Sequence, residues 1–239
     1  MDRAFKIFVD FDGTITTKDV GEALFEKFGI PEKVKPLINQ LLTDEISSRD
    51  CWVELCKSVE FISEVELNSF ISTIPIDKSF AVFNDHCRRN GFQLYVLSDG
   101  FDYYIERIFN KENLSNIKYF ANKLEISDTG KLIPSFPFYD VACSSSANCK
   151  RNHIINNSGD DEYTVYIGDG NSDKYTIDFC DFIFAKDDLL KYCERNRISY
   201  FPFNNFLDVK NKLEQLQSKK NLKKRHRAEL KRKEVYKAE

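Results

Sequence analysis

Phe5-Lys6-Ile7-Phe8-Val9-Asp10-Phe11-Asp12-Gly13-Thr14-Ile15-Thr16 is the stretch on which the reading of this chain turns. A short apolar run ends in two acids placed two residues apart, followed at once by glycine. In extended backbone the side chains alternate with a period of two, so Asp10 and Asp12 project to the same side. Gly13 permits a sharp turn in which main-chain N–H groups can face an anion. One carboxylate of such a pair can attack phosphorus while the other protonates the leaving oxygen. The plain alternative is a loop with two solvated acids after an edge strand, and the rest of the chain decides between them.

Working outward, residues 92–97 form a second apolar run that ends at Ser98-Asp99-Gly100, and residues 164–167 form a third that ends at Gly168-Asp169. Residues 182–185 and 200–201 read as further strands. Helical patterns fall between them at 79–90, 101–110, 150–156, 187–196 and 206–217. Strands separated by helix-length segments predict a parallel sheet with helices on both faces, with its chemistry at the carboxyl ends of the strands. The expected class is α/β, a Rossmann-like parallel sheet core. Two segments break the alternation. Residues 17–77 read as four amphipathic helices, at 20–27, 33–42, 48–59 and 63–71, and so as a helical cap inserted after the first strand. Residues 117–136 read as a β-hairpin flap turning at Ser127-Asp128-Thr129-Gly130. The domains expected are a core of residues 1–16 and 78–218, a cap of residues 17–77, and a basic tail of residues 219–239.

Three strand ends thus carry polar groups. Ser98, Asp99 and Gly100 offer a hydroxyl and turn amides suited to phosphate oxygens. Lys150 opens a helix, where its ammonium could neutralise an attacking carboxylate and a phosphoryl oxygen together. Asp169 and Asp173 stand four apart across the turn Gly168-Asp169-Gly170-Asn171-Ser172-Asp173, and carboxylate oxygens are what the hard cation Mg²⁺ prefers.

DFDGTIT (10–16), LSDG (97–100), Lys150 and GDGNSD (168–173) together resemble the haloacid dehalogenase superfamily of phosphohydrolases, whose layout residues 5–209 follow. The resemblance implies Asp10 as the nucleophile that forms an aspartyl-phosphate and Asp12 as the general acid, then base. It implies Ser98 and Lys150 as phosphoryl holders. Mg²⁺ would be held by the Asp10 carboxylate, the Asp12 carbonyl and Asp169, with Asp173 either touching the ion or supporting its ligands. An acid at position 12 marks the phosphatases within the superfamily, because the transport ATPases carry Thr there and the dehalogenases lack it. The helical cap resembles the phosphoserine phosphatase subclass. Residues 143–150, Ala121-Asn122, and the stretches 184–193 and 200–203 resemble the methionine-salvage branch, whose enzyme acts on a hydroxy-keto-methylthiopentenyl phosphate.

Substrate choice rests on the cap. Asp19 stands where an acid of phosphoserine phosphatases receives the substrate ammonium. The cap arginine that would take the substrate carboxylate has no counterpart: Val53 and Glu54 stand near its place, and Arg49 lies a helical turn away. Phosphoserine and phosphoethanolamine or phosphocholine esters are therefore the secondary substrates expected. Trp52 and Cys56 share a helix face and could line an apolar pocket for a thioether chain, although such a pair is more often core. His86 and His153 lack partners at ligand spacing and read as helix-packing residues.

Composition bounds the rest. With 42% apolar residues, 21 Phe and 11 Tyr in 239, a sizeable core can form and wholesale disorder is excluded. No apolar run approaches membrane-span length, and the N-terminus lacks a signal-peptide layout, so a cytoplasmic protein is expected. Seven scattered cysteines, an odd number, predict reduced thiols rather than a disulfide framework. The Cys143–Cys149 spacing does not suit structural zinc. From Lys219 onward ten Lys or Arg face three Glu, a net +7 that leaves −10 for residues 1–218. That tail reads as a solvated or frayed charged helix; a scaffold held on RNA or an acidic partner is the non-enzymatic alternative. The expected partner is a small phosphorylated metabolite, without membrane or nucleic acid, for a monomer or homodimer.

Overall fold

The computed structural model describes residues 4–236. Seven strands are present: β1 (Phe5–Asp10), β2 (Gln93–Phe101), β3 (Lys118–Ile126), β4 (Leu132–Ser135), β5 (Tyr163–Gly168), β6 (Phe182–Ala185) and β7 (Phe201–Pro202). The helices are α1 (Val20–Phe28), α2 (Pro31–Leu42), α3 (Ser48–Ser58), α4 (Glu64–Ser72), α5 (Phe80–Arg89), α6 (Asp102–Lys111), α7 (Lys150–Asn156), α8 (Asp187–Arg195), α9 (Phe206–Ser218) and α10 (His226–Tyr236). By contact the chain divides into two compact units. No described helix is long and apolar enough to cross a membrane, and all seven cysteines are free thiols.

The first unit takes the chain up to Ile15, Ile76–Leu97, and everything from Lys150 on. Its strands run in the order β2-β1-β5-β6-β7, all parallel. The expected α/β class and parallel sheet are what the chain forms. β1 is almost continuously apolar because both its faces are covered: Phe5, Ile7, Phe8 and Val9 are at most 1% exposed. Register then places the chemistry. Val9 pairs with Ile167 and Asp10 with Leu97, so the ends of β1 and β5 lie level. Asn205 opens α9 with a reciprocal capping box to Asp208.

The tail departs from expectation. Within the described residues α10 is docked, with Ala228 fully buried and Arg232 7% exposed. Arg232 donates to the Thr164 hydroxyl (3.0 Å), the Phe179 carbonyl (2.6 Å) and Asp181 (3.2 Å). Arg225 and Arg227 both reach Asp178, at 3.1 and 2.8 Å. Such a helix escapes a search for an apolar stripe because its buried contacts come from guanidinium groups on long stems. Arg232→Ala strands Asp181 as an uncompensated buried charge, which typically costs 3–5 kcal/mol. We expect the melting temperature to fall by roughly 6–20 °C, and Asp181→Asn in that background to recover part of it. Calorimetric scans check both; a shift below 2 °C in the single variant would contradict the docking.

The second unit comprises Thr16–Pro75 and Ser98–Cys149. Helices α1 to α4 begin at capping residues: Asp19 accepts the Glu22 N–H, Ser47 the Asp50 N–H, and Ser63 forms a capping box with Glu66, while α2 opens on Pro31. Strands β3 and β4 form the expected antiparallel hairpin, with Ile126 opposite Leu132. Gly130, at φ +71°, turns it, and a side chain there would collide with the Phe61 ring.

Candidate active site

At the level ends of β1 and β5, the first unit gathers Asp10, Lys150, Asp169 and Asp173 into one buried cluster. Lys150, the first residue of α7, is 3% exposed. Its Nζ donates to Asp10 Oδ1 (2.5 Å), Asp173 Oδ1 (2.7 Å) and the Ser172 hydroxyl (3.1 Å). Side-chain oxygens of Asp10, Asp169 and Asp173 all lie within 4.8 Å of one another.

The turn after β1 supports this cluster. Ile15 N–H closes onto the Phe11 carbonyl at 3.0 Å, and Gly13 sits at φ +75°. A Cβ at Gly13 would overlap the Asp169 carboxylate, so glycine is required for both backbone and space. Thr14 donates to Asp169 Oδ1 at 2.5 Å. Across the site Tyr166, fully buried on β5, donates its hydroxyl to Asp173 Oδ1 at 2.5 Å, and Gly170 N–H reaches Asp173 Oδ2 at 3.2 Å.

Three carboxylates around one ammonium leave an excess of negative charge in a dry site. Burial, and next Asp173, push the Asp10 carboxyl well above its ordinary range, against the pull of Lys150. Burial and Asp173 likewise push Asp169 up to about 6, while the Thr14 hydrogen bond works downward. Burial opposes the charge on Lys150, but Asp10 and Asp173 outweigh it and keep the ammonium protonated. Acids that hold protons for want of positive charge, presenting hard oxygen donors, fit a small divalent cation. Both oxygens of Asp173 are already engaged by protein donors, so Asp10 and Asp169 offer the freer ligand atoms.

Asp12 is half-buried in the turn after β1. Ser98, Asp99 and Gly100 belong to the second unit; Ser98 is fully buried, and its hydroxyl oxygen accepts the Gly100 N–H at 2.9 Å. Leu97, just before Ser98, is the residue paired with Asp10. Also in the second unit, the Asp19 carboxylate caps α1. Trp52 is 9% exposed and packs against Phe25 and Phe101 at ring-centroid distances of 5.8 and 5.2 Å. Cys56 is buried, its thiol pushed up to about 12 by that burial. Trp52 and Cys56 therefore sit as core side chains. Arg49 stacks its guanidinium 4.8 Å from the Tyr139 ring. Sequence reasoning missed Thr14, Tyr166 and Ser172. Of these Tyr166 left a signal: a tyrosine on the buried face of an apolar strand needs a partner for its hydroxyl.

Known proteins align with this chain over nearly its whole length. A family profile described as "Putative Phosphatase" matches residues 5–222. Pdp3-interacting factor 1 of Schizosaccharomyces pombe is 30% identical over 229 residues, spanning 88% of this chain and 95% of that protein. The 2-hydroxy-3-keto-5-methylthiopentenyl-1-phosphate phosphatase of Bacillus cereus is 30% identical over 220 residues, spanning 89% and 97%. Among solved structures, a phospho-aspartyl intermediate analogue of phosphoserine phosphatase superposes with a TM-score of 0.66 at 18% identity, covering 89% of this chain and 99% of that one. That last likeness concerns the fold, whereas profile and sequence identity concern descent. The chain belongs to the phosphatase family so matched, within the haloacid dehalogenase superfamily and near the branch of the methylthiopentenyl phosphate phosphatases.

Proposed function

We propose that this phosphatase hydrolyses a small phosphate monoester through an aspartyl-phosphate on Asp10, with 2-hydroxy-3-keto-5-methylthiopentenyl-1-phosphate as its substrate. The observation that carries the mechanism is the Lys150 ammonium clamped between Asp10 and Asp173, beside Asp169, in one buried cluster.

An Asp10 oxygen attacks phosphorus and the bond to the ester oxygen breaks. Asp12 gives its proton to that oxygen, and the alcohol leaves. Asp12, now a carboxylate, takes a proton from water; the hydroxide attacks the same phosphorus, releasing phosphate and restoring Asp10. Lys150 counters charge on Asp10 and on the phosphoryl oxygens. Ser98, with the amide of Asp99, would hold the transferred group. Asp10, Asp169 and the Asp12 carbonyl would hold Mg²⁺, with Asp173 supporting; the ion would supply charge neutralisation that three carboxylates and one ammonium lack. Within the second unit, Asp19 and Trp52 both border Gly21, whose bare Cα keeps Trp52 close.

The substrate assignment draws on the relatives named for it and on the cap helix, where Val53 and Glu54 stand near the place of a carboxylate-binding arginine, which counts against phosphoserine. An RNA-held scaffold finds little in the tail, since Arg225, Arg227 and Arg232 are directed at Asp178 and Asp181. Seven free thiols suit a reducing, cytoplasmic setting. Phosphate release should be measured for the methylthiopentenyl ester, phosphoserine, phosphoethanolamine and phosphocholine. We expect kcat/KM for the first to exceed the others by about 100-fold, some 2.7 kcal/mol in the transition state. A preference for phosphoserine would overturn the assignment.

A further inference from the structure

The carboxylate of Asp99 is consumed inside the second unit. Its Oδ1 accepts the N–H groups of Ala147 (3.0 Å) and Asn148 (2.8 Å). Its Oδ2 accepts the hydroxyl of Ser48, the first residue of α3. The backbone at this end of β2 is pinned as well: Asn122 Nδ2 donates to the Asp99 carbonyl (2.6 Å), and Asn148 Nδ2 to the carbonyls of Ser98 (2.8 Å) and Phe120 (3.0 Å). Ser98, Asn122 and Asn148 are fully buried. Ser48 in turn donates its N–H to the Ser145 carbonyl at 3.0 Å. Three segments remote in sequence therefore meet at one carboxylate: the end of β2 at 98–100, the first turn of α3, and residues 145–148 that lead into Lys150.

We propose that Asp99 is a positioning residue for phosphoryl transfer, its side chain fixing the end of β2 at residues 98–100 against α3 and against residues 145–148 rather than touching substrate. The inference rests on the reading of that strand end as phosphate-binding. Donors aimed at a transferring phosphoryl group act through preorganisation and must be held to a few tenths of an ångström. Two amides on one oxygen and a hydroxyl on the other fix the Asp99 rotamer, and the carboxamides of Asn122 and Asn148 fix the peptide on either side of it. Since α3 also carries Arg49 and Trp52, the Ser48 contact ties those cap side chains to the same strand end.

The atoms make the test selective. In Asp99→Asn the carboxamide oxygen still accepts both amides, and its NH₂ group donates to the Ser48 oxygen. In Asp99→Ala all three bonds go; in Ser48→Ala only the one to α3 does. Each variant is assayed with p-nitrophenyl phosphate well below its melting temperature, and Trp52, the sole tryptophan, reports on α3 through its emission. Asp99→Ala is expected to lose on the order of 10²-fold in kcat, the scale of an ångström misplacement. Asp99→Asn should restore most of that loss. Trp52 emission should shift in Asp99→Ala and Ser48→Ala but not in Asp99→Asn. The proposal falls if Asp99→Ala keeps kcat within about threefold of wild type. It falls equally if Asp99→Asn is as impaired as Asp99→Ala, which would make the charge itself, and hence substrate contact, the operative property. Should Asp99→Ala not fold, Ser48→Ala carries the comparison, and unshifted emission in it overturns the link. A wild-type protein inactive on every phosphate ester would instead sink the proposed function, while the emission series still reads the link.

Discussion

Asp10→Asn is expected to yield a folded protein whose turnover of p-nitrophenyl phosphate has dropped by roughly 10⁵-fold or more, the scale seen when a covalent nucleophile is removed. A carboxamide oxygen is a poor nucleophile, and phosphate monoesters need acceleration of up to ~10²¹-fold, so little survives without the covalent route. Folding should not suffer. The Asn oxygen can still accept the Lys150 ammonium, and the substitution removes one of three crowded carboxylates whose ionisation burial disfavours. The metal-free variant should therefore melt at or above the wild-type temperature at pH 8. Acid quenching during turnover should trap a phosphoryl group on Asp10 of the wild type and none on the variant. Turnover in the variant within tenfold of wild type would refute the nucleophile assignment.

How much of this was legible beforehand follows from the range of the interactions involved. The Asp10–Asp12 pair, Gly13, and the Asp169–Asp173 pair lie in short turns after strands, where local pattern and chemistry coincide. The alternation of strands and helices gave the parallel sheet because a parallel sheet needs helical crossovers. Lys150 was recoverable only from the company it keeps, since nothing local separates it from other lysines; in space it sits 2.5 Å from Asp10. What stayed hidden was long-range and polar. Asp99 meets Ser48 across 51 positions and Asn148 across 49, and no periodicity encodes such contacts. The docking of α10 was masked because its core contact is an arginine. Trp52 read as a possible pocket wall but more often, for such a pair, as core, and its packing against Phe25 and Phe101 gives the core arrangement. Hydrophobic patterning reports burial well, yet it is blind to which polar groups will satisfy one another once buried.

Divalent cation should govern both activity and stability, and should flatten the pH dependence of stability that the metal-free protein shows. Chelation is expected to take phosphatase activity to background, and Mg²⁺ alone to restore it. The stability argument follows from the raised carboxyl groups. Asp10 and Asp169 bind protons more readily in the folded chain than in the unfolded one, Asp169 at about 6. A raised acid contributes stability that is complete below its unfolded value near 4 and is lost as pH rises through its folded value. For Asp169 that loss totals about 3 kcal/mol at 1.36 kcal/mol per pH unit, of which about 1 kcal/mol falls above pH 5.5, and Asp10 adds its own share there. Metal-free protein should therefore melt several degrees lower at pH 8 than at pH 5.5. Mg²⁺ takes over the part the protons played, so the melting temperature it adds should grow over the same interval, because the ion binds only the ionised site. Asp169→Asn should flatten the metal-free pH profile and shrink the Mg²⁺ increment together. A metal-free melting temperature that does not fall between pH 5.5 and 8, or a Mg²⁺ increment that stays constant across that range, would mean that these carboxylates are not the ones an ion relieves.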